Sequence, residues 1–450
     1  MKILEIPELV GLDSRGGVIR IPPDLDVPLT DRVRKIIDTA PFRRLARISQ
    51  LGLVSLIYPA AHHTRFEHSL GVYRLALLLL KRLAYLPRFT EMVSKEDAEL
   101  LIVASLLHDI GHWSFCHAIE DMRLPELPNH ESAAQTFLLD GELADVLRND
   151  WNIEPEQVIA LLNKAESVHG DPGKRLLSSI LSGPIDIDKM DYLFRDSLHA
   201  GVPYGRHFDQ NRLIASLCLN EAGDGLAISD KGKTAAELMV FARYVMFNEV
   251  YWHHGVRTAT AMLQRAFYLL FKRIDMQRVF LGTEQEMIDL LLEVSQGTPA
   301  WPLVDGLFGK KRRLYKRLAQ FSIMEQPELY RKLAGQPYPW LCDVSEKMYD
   351  SLLGELSGDL APFRDYPLLI DSPPVEREVE LRIDVHSPKE NVYRSLESIS
   401  PVVRSLAREQ FDDYVKRVRI FAPTELVQKF HEPDKATRRI AEFLSGWGVR

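Results

Sequence analysis

The chain has 450 residues, of which 46% are hydrophobic and 26% are charged, and its formal net charge is −7. This composition is typical of a globular protein, and the negative charge argues against a nucleic-acid-coating role while allowing a local phosphate site. The three cysteines, Cys116, Cys218 and Cys342, are far apart and odd in number. That argues against a disulfide framework and favours a reducing compartment.

The sequence predicts neither a targeting peptide nor a membrane span. The opening stretch MKILEIPELVGLDSRGG has the pattern of neither a signal peptide nor a transit peptide. The longest apolar run, Leu75–Leu80, is too short to cross a bilayer and is flanked by Arg74, Lys81 and Arg82. We therefore expect a cytoplasmic protein without a membrane partner.

Helix signals dominate the first third of the chain. GGVIRIP predicts a short strand, and Thr30 is placed to cap a helix over residues 31–49 that Pro41 interrupts. Apolar residues then follow a helical period over His68–Leu83. The capping-box pattern SKED precedes another apolar run, and this helix is expected to stop near Gly111.

Helix and strand signals alternate further along the chain. A helix is predicted from about residue 186 to Gly201, with a hairpin after it that turns at Gly223–Gly225. A single long helix is then predicted from about Thr234 to Arg273. Alternating apolar residues predict strands at Val379–Val385 and around Val418 and Ile420.

These elements predict a mainly α-helical fold. Residues 1–275 are expected to form a helical core that carries the small N-terminal β element and the hairpin. Residues 276–450 are expected to form a mixed helical and β region.

Four polar motifs interrupt the apolar helices and indicate a metal or an anionic substrate. A mixed set of imidazoles and carboxylates suits a borderline divalent ion and leaves positions open for water and substrate. Two other interpretations remain for the histidines: a hydrogen-bonded core residue, or a zinc pair formed by His108 and His112, for which the usual glutamate is missing. The motifs are HHTRFEHS with His68, LLHDIGH with His108 and Asp109, NHES with His130, and DIDKMDY with Asp188.

The helix that follows Asp188 has a polar stripe where a packed helix would have an apolar one. Asp188, Tyr192, Asp196 and His199 recur at helical spacing and share one face. This stripe predicts either a wet cavity or an ion-pair network, and clustering of perturbed groups favours the cavity.

The ordered motifs RFEHSLGV, LLHDIGH and DIDKMDYLFRD resemble the HD-domain phosphohydrolases, and among them the deoxynucleoside triphosphate triphosphohydrolases. The resemblance extends from about Asp38 to His254. It implies that the metal ligands are His68, His108, Asp109 and Asp188, and that Asp186 either supports these ligands from behind or has a structural role.

The same resemblance implies a substrate pocket. Arg65 would meet a phosphate, and His112, His117 and His130 would line the phosphate path, with His130 assisting catalysis. Tyr251 would pack against the sugar edge and exclude a 2′-hydroxyl, although simple packing with Phe247 and Trp252 is the alternative. The other implied substrate contacts are Gln50 and Leu51 beside the sugar, Lys189, Tyr192 and Asp196 at the triphosphate and sugar, and Arg243 at a phosphate.

The expected reaction is hydrolysis of a deoxynucleoside triphosphate to a deoxynucleoside and inorganic triphosphate. The expected cofactor is Mn, Fe, Zn, Ni or Co at the HD site, with Mg accompanying the triphosphate. Arg65, Lys189 and Arg243 would neutralise phosphate charge, and His117 or His130 would donate a proton or position the water.

The same motifs and composition leave two alternative functions open and indicate which partners to expect. The alternatives are a phosphodiesterase or nucleotidase acting on another nucleotide ester, and a catalytically silent nucleotide sensor. A nuclease is disfavoured because no basic, aromatic-interleaved stripe is present. The expected partners are a small nucleotide and further copies of the chain, as a dimer or higher oligomer; nucleic acid is not expected.

Overall fold

The chain forms two compact units, and its fold is mainly helical with a few small sheets, as predicted. The first unit comprises Met1–Trp113, Asn129–Met246 and Glu380–Arg408, and the second comprises Ser114–Pro128, Phe247–Val379 and Glu409–Arg450. A computed structural model describes residues 2–14, 16–127, 130–163, 171–355, 367–374, 382–407, 414–430 and 433–447.

The first unit is built mainly from helices. The α-helices are Pro7–Gly11, Asp31–Ile37, Ala40–Arg44, Arg65–Leu83 (α1), Pro87–Met92, Lys95–Leu107 (α2), His130–Leu138 (α3), Glu142–Trp151, Pro155–Leu162, Pro172–Ser182, Ile187–His199 (α4), Gln210–Ser216, Lys233–Met246 (α5), Leu396–Ile399 and Pro401–Ser405. Five of them, α1 to α5, contain or adjoin predicted site residues. No helix of the described residues is both long and apolar enough to cross a membrane.

Helix α1 is the centre of the first unit and packs against both α2 and α4. It begins after Thr64, whose hydroxyl accepts the Glu67 N–H. Each fully buried leucine in such a core contributes roughly 1.5–3 kcal/mol relative to an exposed one. The apolar residues predicted from the helical period are buried as expected: Val72, Leu75, Ala76, Leu79, Leu80 and Leu83.

Side-chain caps begin α2 and α4 where the sequence predicts them. Ser94 and Asp97 form a reciprocal capping box at the start of α2. Asp186 caps α4 by accepting the Lys189 N–H at 2.7 Å, which agrees with the structural role expected for this carboxylate. Gly201 follows the end of α4 with φ +71°, a conformation that glycine adopts without strain.

The end of α2 differs from the prediction. The helix ends at Leu107, and His108 is its C-cap, three residues before Gly111. Gly111 is needed for a different reason, because a Cβ at this position would lie 2.2 Å from the His130 carbonyl oxygen of α3. The glycine therefore permits close approach of two backbones and does not end the helix.

The small sheets confirm most of the strand predictions. The strands are β1 Val18–Ile21, β2 Leu25–Pro28, β3 Leu217–Leu219, β4 Leu226–Ser229, β5 Lys316–Ser322, β6 Leu369–Asp371, β7 Asp384–Ser387, β8 Val392–Ser395 and β9 Arg417–Ala422. β1 and β2 form the N-terminal antiparallel pair, and β3 and β4 form the predicted hairpin around Gly223–Gly225. In the first unit β3, β4, β7 and β8 form a four-stranded sheet in that order, with β4 and β7 parallel.

The second unit has its own apolar core around the antiparallel sheet β5–β9–β6. Val418 and Ile420 of β9 are buried there, which confirms that predicted strand. The predicted strand at Val379–Val385 falls partly on residues 375–381, outside the described residues. The α-helices of this unit are Cys116–Glu120, His254–Leu270 (α6), Met276–Leu281, Glu284–Ser295, Trp301–Phe308, Pro327–Leu333, Tyr338–Glu355, Thr424–Lys429 and Pro433–Gly446.

The single long helix predicted from about Thr234 to Arg273 is wrong. α5 ends at Met246, a π-helical turn covers Phe247–Tyr251, and α6 begins only at His254. The His253 side chain caps α6 by accepting the Gly255 N–H at 3.2 Å. A local side-chain cap therefore starts a new helix inside a sequence whose apolar period is continuous.

Candidate metal centre

The four predicted ligands lie at helix ends of the first unit. His68 is in the first turn of α1, and Asp188 is in the first turn of α4. His108 is the C-cap of α2, so its neighbour Asp109 is already outside the helix. Adjacent residues on a continuing helix point about 100° apart, and the end of α2 allows both to turn towards one centre.

The donor atoms of these side chains converge. The Nε2 atom of His68 lies 3.2 Å from Nε2 of His108 and 3.1 Å from Oδ1 of Asp188. Oδ1 of Asp109 lies 3.4 Å from Nε2 of His108, and its Oδ2 lies 4.0 Å from Nε2 of His68. Ligands about 2.1 Å from one ion are separated by roughly 3 to 4 Å, depending on whether they are adjacent or opposite. His68, His108 and Asp188 form a group able to hold a metal ion, and Asp109 borders it.

The hydrogen bonds of the two imidazoles fix which nitrogen faces the centre. Nδ1 of His68 lies 2.8 Å from Oδ2 of Asp191, and Nδ1 of His108 lies 2.9 Å from the Ser105 carbonyl oxygen. Both Nδ1 atoms must donate, because their partners only accept. In the neutral rings both Nε2 atoms then present lone pairs to each other, an arrangement that requires a shared proton or a cation. The residues therefore fit the divalent ion that the family resemblance implies.

The electrostatics of the centre favour a cation. Burial alone would lower the pKa of His68, but its hydrogen bonds to Asp188 and Asp191 raise that pKa to about 10. Burial would raise the pKa of Asp109, but His112, Arg65 and the two other histidines hold it well below its usual value. The ionised carboxylates thus stabilise a protonated His68. A bound metal ion would take the place of that proton.

Arg65 and His112 both contact Asp109. Nη1 of Arg65 donates to Oδ2 of Asp109 at 2.8 Å, and Nδ1 of His112 lies 3.2 Å from Oδ1. The His112 ring packs on the ring of His130 with centroids 4.0 Å apart. Arg65 and His112 therefore contact different oxygens of one predicted metal ligand, and His130 packs on the ring of His112.

The polar stripe of α4 divides into two halves. Lys189 bonds to Asp186 and to the Gly183 carbonyl oxygen, the latter at 3.1 Å. Burial raises the pKa of Tyr192, whereas Arg243 and Lys189 lower it, so two of the three predicted phosphate-binding cations lie near this phenol. This half therefore places cationic side chains close to α4, the helix that carries Asp188.

The second half of the stripe is an ion-pair network. Asp196 is only 2% exposed, and its Oδ1 lies 2.8 Å from Nε2 of His63. Nε2 of His199 lies 2.9 Å from Oε1 of Glu67. Gln50, predicted beside the sugar with Leu51, donates its backbone N–H to the His63 carbonyl oxygen at 2.9 Å. Gln50 and Asp196 are thus both bonded to His63, a residue that was not among the predicted site residues.

His117 and Tyr251 belong to the second unit. His117 is exposed on the short helix Cys116–Glu120. Tyr251 is half-buried on the π-helical turn, and its ring meets Phe247 edge-on with centroids 5.2 Å apart. This contact matches the packing alternative, and the sugar contact stays a prediction.

Several residues of the centre were not predicted from the sequence. Arg44 donates to the carbonyl oxygens of Ile110 and His112 and so braces the turn that carries Asp109. Asp191 bonds to His68 and also to Arg195. The i, i+4 spacing of Asp191 and Arg195 within DIDKMDYLFRD was the available signal for that pair.

Added Mn²⁺ is expected to raise the melting temperature of the chelator-treated protein by a few degrees. A ligand that binds only the folded state at one hundred times its Kd stabilises it by about 2.7 kcal/mol. Differential scanning fluorimetry with a Mn²⁺ titration, reversed by excess EDTA, measures this effect. The His68→Ala variant is the control and should show no metal-dependent rise. An unchanged melting temperature with each of Mn²⁺, Fe²⁺, Co²⁺, Ni²⁺ and Zn²⁺ would contradict the metal centre.

Comparisons with known proteins agree with this geometry. Residues 65–196 match the HD domain family, and residues 208–441 match the HD associated region. An uncharacterized protein of Methanocaldococcus jannaschii is 30% identical over 436 residues, which cover 96% of this chain and 85% of that protein.

Two further relatives are an enzyme and a solved structure. The deoxynucleoside triphosphate triphosphohydrolase SAMHD1 of Gallus gallus is 26% identical over 367 residues, covering 74% of this chain and 58% of that protein. The chain thus spans less than two thirds of the chicken enzyme. The crystal structure of a hypothetical protein from Aquifex aeolicus matches with a TM-score of 0.68 at 25% identity, covering 94% of this chain and 99% of that one.

Proposed function

The chain belongs to the HD-domain phosphohydrolase superfamily, and on that premise we propose that it hydrolyses deoxynucleoside triphosphates to deoxynucleosides and inorganic triphosphate. The observation that carries the proposal is the convergence of two imidazole Nε2 atoms and an aspartate oxygen within 3.9 Å of one another, with Asp109 alongside. The substrate class is supported by the motifs shared with triphosphohydrolases and by the similarity to the chicken enzyme.

The proposed reaction breaks the bond between the α-phosphorus and the 5′ oxygen. A water oxygen adds to the α-phosphorus, and the 5′ oxygen leaves and takes up a proton. A divalent ion held by His68, His108, Asp109 and Asp188 would supply Lewis acidity and lower the pKa of a coordinated water from 15.7 towards about 7.

The remaining side chains have separate tasks in this proposal. Arg65, Lys189 and Arg243 neutralise phosphate charge, which grows and moves as the bond breaks. Asp109 orients His112, and His112 packs on His130. His130, or His117 as the alternative, positions the water or donates the proton to the 5′ oxygen.

The test is incubation of the protein with each dNTP and each NTP in Mn²⁺ or Mg²⁺, followed by mass analysis of the products. Inorganic triphosphate together with a deoxynucleoside supports the proposal. Release of orthophosphate or pyrophosphate, or turnover of cyclic or monophosphate nucleotides alone, would instead indicate a nucleotidase or phosphodiesterase. Binding without turnover would indicate a nucleotide sensor.

Replacing Tyr251 with alanine is expected to lower the preference for dNTP over NTP at least tenfold. If the tyrosine excludes the 2′-hydroxyl by steric overlap, its removal admits the ribonucleotide, and a contact of this kind is worth about 1–3 kcal/mol. The measurement is the ratio of kcat/KM for dGTP and GTP. Tyr244→Ala, a half-buried tyrosine of α5, is the control and should leave the ratio unchanged. An unaltered ratio in Tyr251→Ala would favour the packing role.

A further inference from the structure

A row of alternating charges lies between α1 and α4 and ends at the metal centre. It runs from His68 to Asp191, then to Arg195, Glu67 and His199. His68 and Glu67 come from the first turn of α1, and the other members are spaced by four residues along α4. The row therefore occupies the contact between the helices that supply two of the predicted metal ligands.

Asp191 is held from two sides. Its Oδ2 lies 2.8 Å from Nδ1 of His68 and accepts from Nε of Arg195 at 2.7 Å. Its Oδ1 accepts from Nη2 of Arg195, also at 2.7 Å. This bidentate contact fixes the plane of the carboxylate as well as its position, because the guanidinium is a rigid fork. The acceptor for His68 therefore has little freedom to turn.

Arg195 is fixed in turn by Glu67. The guanidinium side chain is 1% exposed, and its Nη1 donates to Oε1 of Glu67 at 2.6 Å. His199 approaches the same Oε1 atom at 2.9 Å and stacks on His63, with ring centroids 4.4 Å apart and planes 14° apart. The Arg195 guanidinium thus has a carboxylate on each side, Asp191 and Glu67.

Gly71 provides the space for this arrangement. A Cβ at Gly71 would lie 1.9 Å from Oδ1 of Asp191 and 2.3 Å from Nη2 of Arg195. Any larger residue would push the ion pair away from α1. The sequence of α1 thus leaves a gap directly beneath the carboxylate that orients His68.

Stability alone is a weak reason for burying these charges. Replacing a buried ion pair by apolar residues is often neutral or stabilising, because desolvation costs as much as the attraction returns. The second nitrogen of a metal-binding histidine, by contrast, needs a fixed acceptor, and changes at that acceptor typically weaken metal binding 10- to 100-fold. The same ion pairs have a clear purpose when they orient a ligand.

We propose that Arg195 and Glu67 are positioning residues of the metal centre, which hold Asp191 so that His68 keeps Nε2 directed at the ion. This inference rests on the metal centre of the proposed function and does not depend on which nucleotide is the substrate. Arg195 and Glu67 would act on the centre only through Asp191, whereas Arg65 and His112 contact the predicted ligand Asp109 directly.

Arg195→Met is expected to weaken Mn²⁺ binding 10- to 100-fold in the metal-stripped, full-length protein. Competition with a fluorescent chelator measures the Kd, and the melting temperature of the same metal-free sample reports its folding. Glu67→Gln keeps the shape of the side chain and is expected to weaken binding to a smaller extent, about 3- to 10-fold. It also tests the proposal if Arg195→Met fails to fold.

Arg32→Met is the matched control. Arg32 also bonds to two carboxylates of the first unit, Glu8 at 2.6 Å and Glu99 at 2.9 Å. Among the residues that the structure describes, neither Arg32 nor these two carboxylates bonds to a predicted metal ligand. A purely structural role would lower the melting temperature in both arginine variants and leave the Mn²⁺ Kd of each unchanged. The positioning role changes the Kd only in Arg195→Met and Glu67→Gln.

The outcomes separate this inference from the proposed function. Folded Arg195→Met and Glu67→Gln proteins with the wild-type Kd would overturn the positioning role, whatever the wild type hydrolyses. A wild type that binds Mn²⁺ with the expected loss in the variants, but releases no triphosphate, would support the positioning role and contradict the proposed function. A wild type that binds no divalent ion would overturn both.

Discussion

Replacing His108 and Asp109 together with alanine is expected to remove bound metal and to lower turnover more than about a thousandfold. The two residues supply a nitrogen and an oxygen donor from one turn, and Nε2 of His108 is 3.2 Å from Nε2 of His68. Without them the centre keeps one imidazole and one carboxylate, too few to hold a divalent ion against water. The loss of metal and the loss of hydrolysis should therefore occur together.

Metal content per chain, measured by inductively coupled plasma mass spectrometry, and triphosphate release are the two readouts. His62→Ala, which changes an exposed histidine of the HHTRFEHS motif, is the control and should retain both. Circular dichroism of the double variant checks that the helices remain. Wild-type turnover in a folded double variant would discard the assignment of these residues to the metal centre.

Replacing Gly111 with alanine is expected to lower turnover at least about a hundredfold and to destabilise the fold by about 1–3 kcal/mol. The added methyl group would lie 2.2 Å from the His130 carbonyl oxygen and 2.5 Å from the Ala134 backbone nitrogen. Both are backbone atoms, so no side-chain rotation relieves the overlap and α3 must move. His130 would then lose its contact with the His112 ring.

Urea unfolding and steady-state kinetics measure the two effects of Gly111→Ala. Gly446→Ala is the control, because a Cβ there meets no atom within 4 Å and the residue ends a helix. It should change stability by no more than about 1 kcal/mol and leave turnover unaltered. Normal turnover in Gly111→Ala would show that the position of α3 does not matter for catalysis.

The helices and their caps were largely predictable because they depend on neighbouring residues. Thr30 and the SKED box begin helices where their side chains can accept a backbone N–H, and the hairpin turns at its glycines. The helix break at Phe247–Tyr251 was missed, since its residues fit an α-helical period as well as the observed π-helical turn. Period alone does not distinguish these two states, and the His253 cap decides between them locally.

The sequence by itself determined the superfamily, because the ordered imidazole and carboxylate motifs are linear patterns that can be recognised without tertiary contacts. Only the tertiary structure decided how they meet: His68 and Asp188 are 120 residues apart and touch through the packing of α1 on α4. Tertiary packing also brought Arg195 of α4 to Glu67 of α1 and required glycine at positions 71 and 111. Such contacts join residues that are distant in the chain, so their geometry is set by how whole helices pack and not by any local pattern.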